Sequence, residues 1–209
     1  LEDLRDTADD RAGETIDTAM SAADRGTTLL RQMLAFARRQ ELAPARTDIG
    51  SVIRQIDGIL RTSLSREIHL AIDIGSTLWP CIVDPTQVET AALNLIVNAR
   101  DAIEGQGEIG LRVLNREITA SEAEANAELR AGRWVALQVA DSGKGMSPEV
   151  RDKVFEPFFT TKGERGGTGL GLSTVYGFVH QSGGFVTLHS APGEGATFAL
   201  HFPAIADTP

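Results

Sequence analysis

Asn94, Asn98 and Asp101 recur at i, i+4 and i+7, which puts three short polar side chains on one face of any helix that spans them. Asparagine is a poor interior helix residue because its side chain competes with the backbone for hydrogen bonds. Two of them stacked one turn apart call for a reason. An asparagine carbonyl is a hard oxygen ligand suited to Mg2+, which keeps several waters and takes few protein ligands. Taken alone, the same spacing also describes a solvated helix face. Asp141-Ser142-Gly143-Lys144-Gly145 sets a carboxylate ahead of two glycines. Backbone there can approach a flat ligand closely, and the carboxylate can accept from an exocyclic amine such as that of adenine. An ordinary Asp-Ser-Gly turn reads identically. Gly166-Gly167-Thr168-Gly169-Leu170-Gly171-Leu172 opens a helix, and glycines ahead of a helix N-terminus expose amides that cradle phosphate. No Gly-Lys-Ser/Thr ends this run, and its spacing is not that of a dinucleotide fingerprint. Between these loops lies Phe155-Glu156-Pro157-Phe158-Phe159-Thr160-Thr161-Lys162. Its three phenylalanines suit an anchor for the polar, glycine-rich segment 160–168, which reads as a lid. Lys162 can reach a terminal phosphate as a point charge; core phenylalanines and a solvated lysine are the plainer alternative.

These groups need elements to hold them. Asp84-Pro85 is a helix start, a capping carboxylate followed by proline at the first helical position, and that helix runs to about Ile103, where Gly105 and Gly107 stop it. Val135, Leu137 and Val139 alternate as a central strand leading into Asp141. Ile68, Leu70, Ile72 and Ile74 make another, with shorter strands near 79–83 and 108–117. Helices are expected at 49–64, 148–153 and 169–181, and strands at 184–190 and 196–202 are joined by Pro192-Gly193-Glu194-Gly195. Residues 41–48 read as a linker, and 119–132, rich in Ala and Glu, as a surface insertion. The order predicts an α/β two-layer sandwich, a mixed sheet with helices on one face. A long helix over 1–40 precedes it, with Ile16, Ala19, Met20, Ala23, Leu30, Leu34 and Ala37 as its stripe. Such a stripe needs partner helices, so a bundle completed by another copy or another segment is expected.

Composition narrows the class. The chain has 209 residues and a net charge of −9, which argues against a main task of holding nucleic acid. It does not exclude a nucleotide, because backbone amides and a few cations suffice. With one cysteine, Cys81, no internal disulfide or cysteine zinc site is possible, and a cytoplasmic setting is expected. No apolar run is long enough to span a bilayer. The chain begins at Leu1 rather than Met and is read as a fragment, so any membrane anchor would lie in segments beyond it.

In order, NLIVNARDA, DSGKGM, VFEPFFTTK and GGTGLGLS strongly resemble the N, first glycine, phenylalanine and second glycine boxes of the histidine kinase ATP-binding domain, in a group with DNA gyrase, the heat-shock ninety chaperones and MutL. The resemblance covers roughly 45–205. AADRGTTLLRQMLAFARRQ further resembles the second helix of the kinase dimerisation bundle, so 1–43 is expected to be part of that bundle and 44–209 the catalytic domain. The resemblance implies ATP and Mg2+ as cofactors. Asn98 would coordinate the metal with Asn94 in support, and Asp141 would take the adenine amine, with Gly143 and Gly145 leaving room for the base. Asp101, Met146, Phe155, Thr160, Thr161, Lys162, Gly167, Thr168, Gly169, Leu170, Gly171 and Leu172 would complete the nucleotide contacts. Catalysis would rest on Asn94, Asn98 and Lys162.

ATPases of this group carry a glutamate base where this chain has Asn94, which cannot take a proton from water. That favours a kinase over an ATP-hydrolysing machine. The resemblance also implies a phosphoacceptor histidine on a first bundle helix, yet His69, His180, His189 and His201 all fall in the sandwich. The expected partners are a response regulator receiver domain and, with the bundle complete, a second copy of the chain. A non-catalytic scaffold derived from such a kinase is the alternative, with a hydrolytic ATPase switch behind it.

Overall fold

The computed structural model describes residues 42–162 and 167–205, together with Gly13, Thr15 and Ile16. The chain divides into Leu1–Glu41 and Leu42–Pro209, and the second unit is described by itself. The long helix expected over 1–40 lies outside the described residues apart from those three, which are helical.

The elements run β1 (Ala45–Thr47), α1 (Ile49–Thr62), β2 (Ile68–Ile74), β3 (Cys81–Val83), α2 (Pro85–Ala102), β4 (Gly107–Ile118), α3 (Ala120–Ala125), β5 (Gly132–Asp141), α4 (Pro148–Lys153), α5 (Gly171–Gln181), β6 (Phe185–Ser190) and β7 (Ala196–Pro203). The main sheet has the order β2-β4-β5-β7-β6. Its first pair is parallel and the other three antiparallel, the mixed sheet that was expected. Leu111, Val113, Val135, Leu137, Val139, Phe198 and Leu200 recur at every second position and share one core with α1, α2 and α5.

Local chemistry sets the helices. Asp48 caps α1 by accepting from Gly50 N–H at 2.9 Å, and Ile49, Val52, Ile53, Ile56 and Leu60 bury its apolar stripe. Asp84 caps α2, accepting from Thr86 N–H at 2.9 Å and Gln87 N–H at 3.3 Å, with Pro85 in the first turn.

Two expectations change. Residues 41–48 are not merely a linker: Ala45–Thr47 pairs antiparallel with β3 in a two-stranded sheet, and Thr47 Oγ1 donates to the Val83 carbonyl at 3.0 Å. Residues 119–132 are not merely a surface insertion either. Thr119 and Glu122 form a reciprocal capping box that starts α3. Ala123 and Leu129 then pack on Ile118, Trp134 and Phe185, a second small core on the sheet face away from α1, α2 and α5.

Candidate functional site

A cleft of about 480 Å³ opens between α2, the end of β5, α4 and the start of α5. Its size suits a nucleotide-sized ligand. Asn94, Asn98 and Asp101 line one wall, as their helical spacing requires. Asp141 reaches it from the end of β5, and Gly167, Thr168, Gly169, Gly171 and Leu172 border the other end, so three regions far apart in sequence meet around one volume. Met146, Thr160, Thr161 and Lys162 complete the predicted lining. Gly166 lies outside the described residues.

The asparagine wall abuts the N-terminus of α5. A methyl group added at Gly171 would come 3.4 Å from Asn94 Oδ1 and 3.8 Å from Asn98 Nδ2. No side chain caps α5: Leu170 holds the cap position without a side-chain bond, and the Ser173 and Thr174 hydroxyls donate back to its carbonyl. The first-turn amides and the positive end of the helix therefore have no capping side chain, which is an anion-binding arrangement.

At the other end, Asp141 Oδ1 accepts from Gly143 N–H at 2.8 Å. Burial pushes its carboxyl above the usual range, and amide hydrogen bonds from Gly143 and Ala196 oppose that only in part. The apolar lining of the cleft includes Val150, Val154, Phe159, Ala196 and Phe198, which suits a flat base. Phe159 belongs to the phenylalanine run expected to anchor the lid and lines the cleft instead; Val150, Val154, Ala196 and Phe198 did not stand out in the sequence, because an apolar cleft residue carries the same signature as a core residue. Lys144 is a further cation in the lining.

Asp101 carries the densest charge contacts of the site. Its Oδ2 accepts from Lys162 Nζ at 2.6 Å, and its Oδ1 accepts from Arg100 Nε at 2.8 Å. Burial would raise its carboxyl, but hydrogen bonds from Lys162 and Arg100, with their charges, outweigh that and hold it below the usual range.

Several predicted residues stand elsewhere. Gly143 is not among the lining residues, whereas Gly145 is, and each of these two glycines also lies close against neighbouring backbone. A Cβ at Gly143 would fall 2.6 Å from the Ala102 carbonyl oxygen, and one at Gly145 1.9 Å from that of Ala191. Both permit backbone to touch backbone. Phe155 is half-buried against the core, with its ring 5.0 Å from Tyr176 and 6.2 Å from Phe198. Leu170 is buried as the α5 cap. Phe158 is no anchor: it is 47% exposed, holds a φ of 68°, and donates its N–H to the Gly169 carbonyl at 3.0 Å. That bond clasps the two flanks of the segment between them, and a Cβ at Gly169 would fall 2.4 Å from the Phe158 carbonyl carbon.

Known proteins resemble this chain in sequence and fold. Sensor kinase CckA of Brucella abortus (strain 2308) is 43% identical over 185 residues, covering 88% of this chain and 19% of that protein. Sensor histidine kinase ZraS of Escherichia coli (strain K12) is 35% identical over 182 residues, covering 87% of this chain and 36% of ZraS. The chain thus spans well under half the length of either relative. Among solved structures, full-length ShkA in complex with AMPPNP superposes with a TM-score of 0.70 at 27% identity, over 99% of this chain and 42% of ShkA. The mycobacterial sensor histidine kinase MprB gives 0.61 at 26% identity, over 77% of this chain and 98% of that one. Residues 83–206, which hold the whole described cleft, match the family model of histidine kinase-, DNA gyrase B- and HSP90-like ATPases, and the chain belongs to that family.

Proposed function

We propose that this chain binds Mg-ATP in the cleft and serves as the catalytic portion of a two-component sensor histidine kinase. The observation that carries the reading is the meeting of Asn94 and Asn98, Asp141 and the α5 N-terminus around one nucleotide-sized volume. Asp141 accepts the adenine amine, and the apolar lining excludes water from the faces of the base. The uncapped amides of α5, with Lys162, neutralise the phosphate tail. Asn98 offers its amide oxygen to Mg2+, with Asn94 beside it. No group of three His, Cys, Asp or Glu side chains among the described residues is placed to hold a metal. That suits an ion whose remaining ligands are phosphate oxygens and water. When bound, Mg2+ would offset phosphate charge; the protein's share is positioning and charge neutralisation.

The acceptor is a histidine from another segment or another chain. None of His69, His180, His189 and His201 lines the cleft. The γ-phosphorus would leave the β–γ bridging oxygen for that imidazole nitrogen, releasing ADP. Residues 1–43 would belong to a dimerisation bundle, and a receiver domain's aspartate would take the phosphoryl group onward. A hydrolytic role is disfavoured because the carboxylates among the described lining residues are Asp101 and Asp141 alone. The first is engaged by two cations and the second sits at the base end, so neither is placed to deprotonate water beside the γ-phosphate.

Calorimetric titration with Mg-ATP tests this. The unaltered chain should bind, and Asn98→Ala and Asp141→Ala should each weaken binding by about tenfold or more with little change in melting temperature. The chain alone, given γ-labelled ATP, should retain no alkali-stable, acid-labile label. An unaltered chain that fails to bind Mg-ATP sinks the reading.

A further inference from the structure

A carboxylate in a cleft built for a triphosphate opposes the ligand, and Asp101 lines that cleft on the same helix face as Asn94 and Asn98. Both its oxygens are taken, by Lys162 Nζ at 2.6 Å and by Arg100 NH2 at 2.7 Å. The two cations are held differently. Arg100 is tied down, its NH1 donating to the Ser63 carbonyl at 3.0 Å. Lys162 has a flexible four-carbon stem, and that stem lies beside the phosphate end of the cleft, its Cδ 3.6 Å from where a Cβ on Gly167 would sit.

We propose that Asp101 is a positioning residue that stores the Lys162 ammonium at the rim of the cleft and releases it to the terminal phosphate of the nucleotide. This rests on the Mg-ATP reading above. The Asp101 and Lys162 side chains are 29% and 33% exposed. A pair so placed is worth about fivefold at most in an equilibrium constant, so a multiply charged phosphate displaces it readily. After the transfer Asp101 keeps Arg100, and no carboxylate is left unpaired. Lysine is thus kept at the rim of the cleft when no ligand is present, and its release is coupled to the phosphate rather than to the base.

Calorimetry with ATP, ADP and adenosine in Mg2+ tests the proposal on the 209-residue chain. Asp101→Asn should tighten ATP about fivefold, tighten ADP less and leave adenosine unchanged. In a Lys162→Met background the gain for ATP should fall by half or more. Asp101→Glu, which keeps the charge, should return the ATP-to-ADP ratio toward that of the unaltered chain. Unchanged or weakened ATP binding by Asp101→Asn overturns the proposal and makes the carboxylate structural or a metal-water ligand. An equal gain in both backgrounds overturns it too, because Asp101 would then act on phosphate without Lys162. No ATP binding by the unaltered chain overturns the underlying reading and this proposal together.

Discussion

His201 shows how far one side chain's surroundings can move its chemistry. It is 3% exposed, its ring stacks on Phe185 at 4.3 Å, and its Nε2 lies 3.2 Å from Thr187 Oγ1. Burial pushes its pKa down to about 4, and the charge of Arg116 adds to that. An unfolded histidine takes up a proton below about 6.5, whereas the folded one waits until about 4. The unfolded state binds more protons in that window, so stability falls as pH drops through it, by about 3 kcal/mol in all, and levels off below. Urea unfolding at pH 7 and pH 5 should show about 2 kcal/mol of this. In His201→Phe, which keeps an aromatic ring against Phe185, the pH dependence should be shallower by that amount. Residue chemistry was partly legible beforehand. Asn94, Asn98 and Asp101 follow from helical spacing, and Asp141 from its place at a strand end. The burial of His201 was not legible, because stacking against Phe185 has no sequence marker.

At the scale of elements, the turn after β5 depends on backbone contacts that only glycine permits. Lys144 N–H donates to the Ala102 carbonyl at 3.0 Å, Gly193 N–H donates to the Lys144 carbonyl at 2.8 Å, and Met146 N–H donates to Ser190 Oγ at 2.9 Å. These bonds lash the turn to α2 on one side and to the β6–β7 hairpin on the other. Gly145→Ala would set a Cβ 1.9 Å from the Ala191 carbonyl oxygen at a φ of 65°. It should cost about 3 kcal/mol or more, read as a drop in urea midpoint. Gly110→Ala, on β4 with nothing within 4 Å, should be neutral or slightly stabilising. Caps and alternation made most element positions readable, as with Asp84-Pro85 and the strand run Val135, Leu137, Val139. The glycine roles were not readable, because a glycine reports that something approaches and not what. β1 was missed because three residues carry no periodicity, and its order comes from pairing with β3.

At the scale of the whole second unit, Cys81 joins distant parts of the chain. It is fully buried on β3, bridges to Ala204 after the last strand, and has its thiol pushed up to about 12, mostly by burial, with the Asp48 charge adding to it. Thiolate is the reactive form, so iodoacetamide should leave Cys81 untouched at pH 8 under native conditions. Its labelling rate in urea should follow global unfolding; fast native labelling would mean that the β1–β3 sheet opens alone. The two-layer architecture was legible in advance because alternating strands and striped helices came in a telling order. The second small core was not, since Ala123 and Leu129 sit in a stretch whose Ala and Glu content resembles a solvent-exposed arm. The lashing of the 142–147 turn to the closing hairpin carries a consequence for synthesis. The turn's two fasteners on the hairpin side, Ser190 and Gly193, leave the ribosome some fifty residues after Asp141. A nascent chain therefore cannot use nucleotide to guide its early collapse, and a product ending before Ser190 should be blind to ATP however much of the earlier sheet it forms.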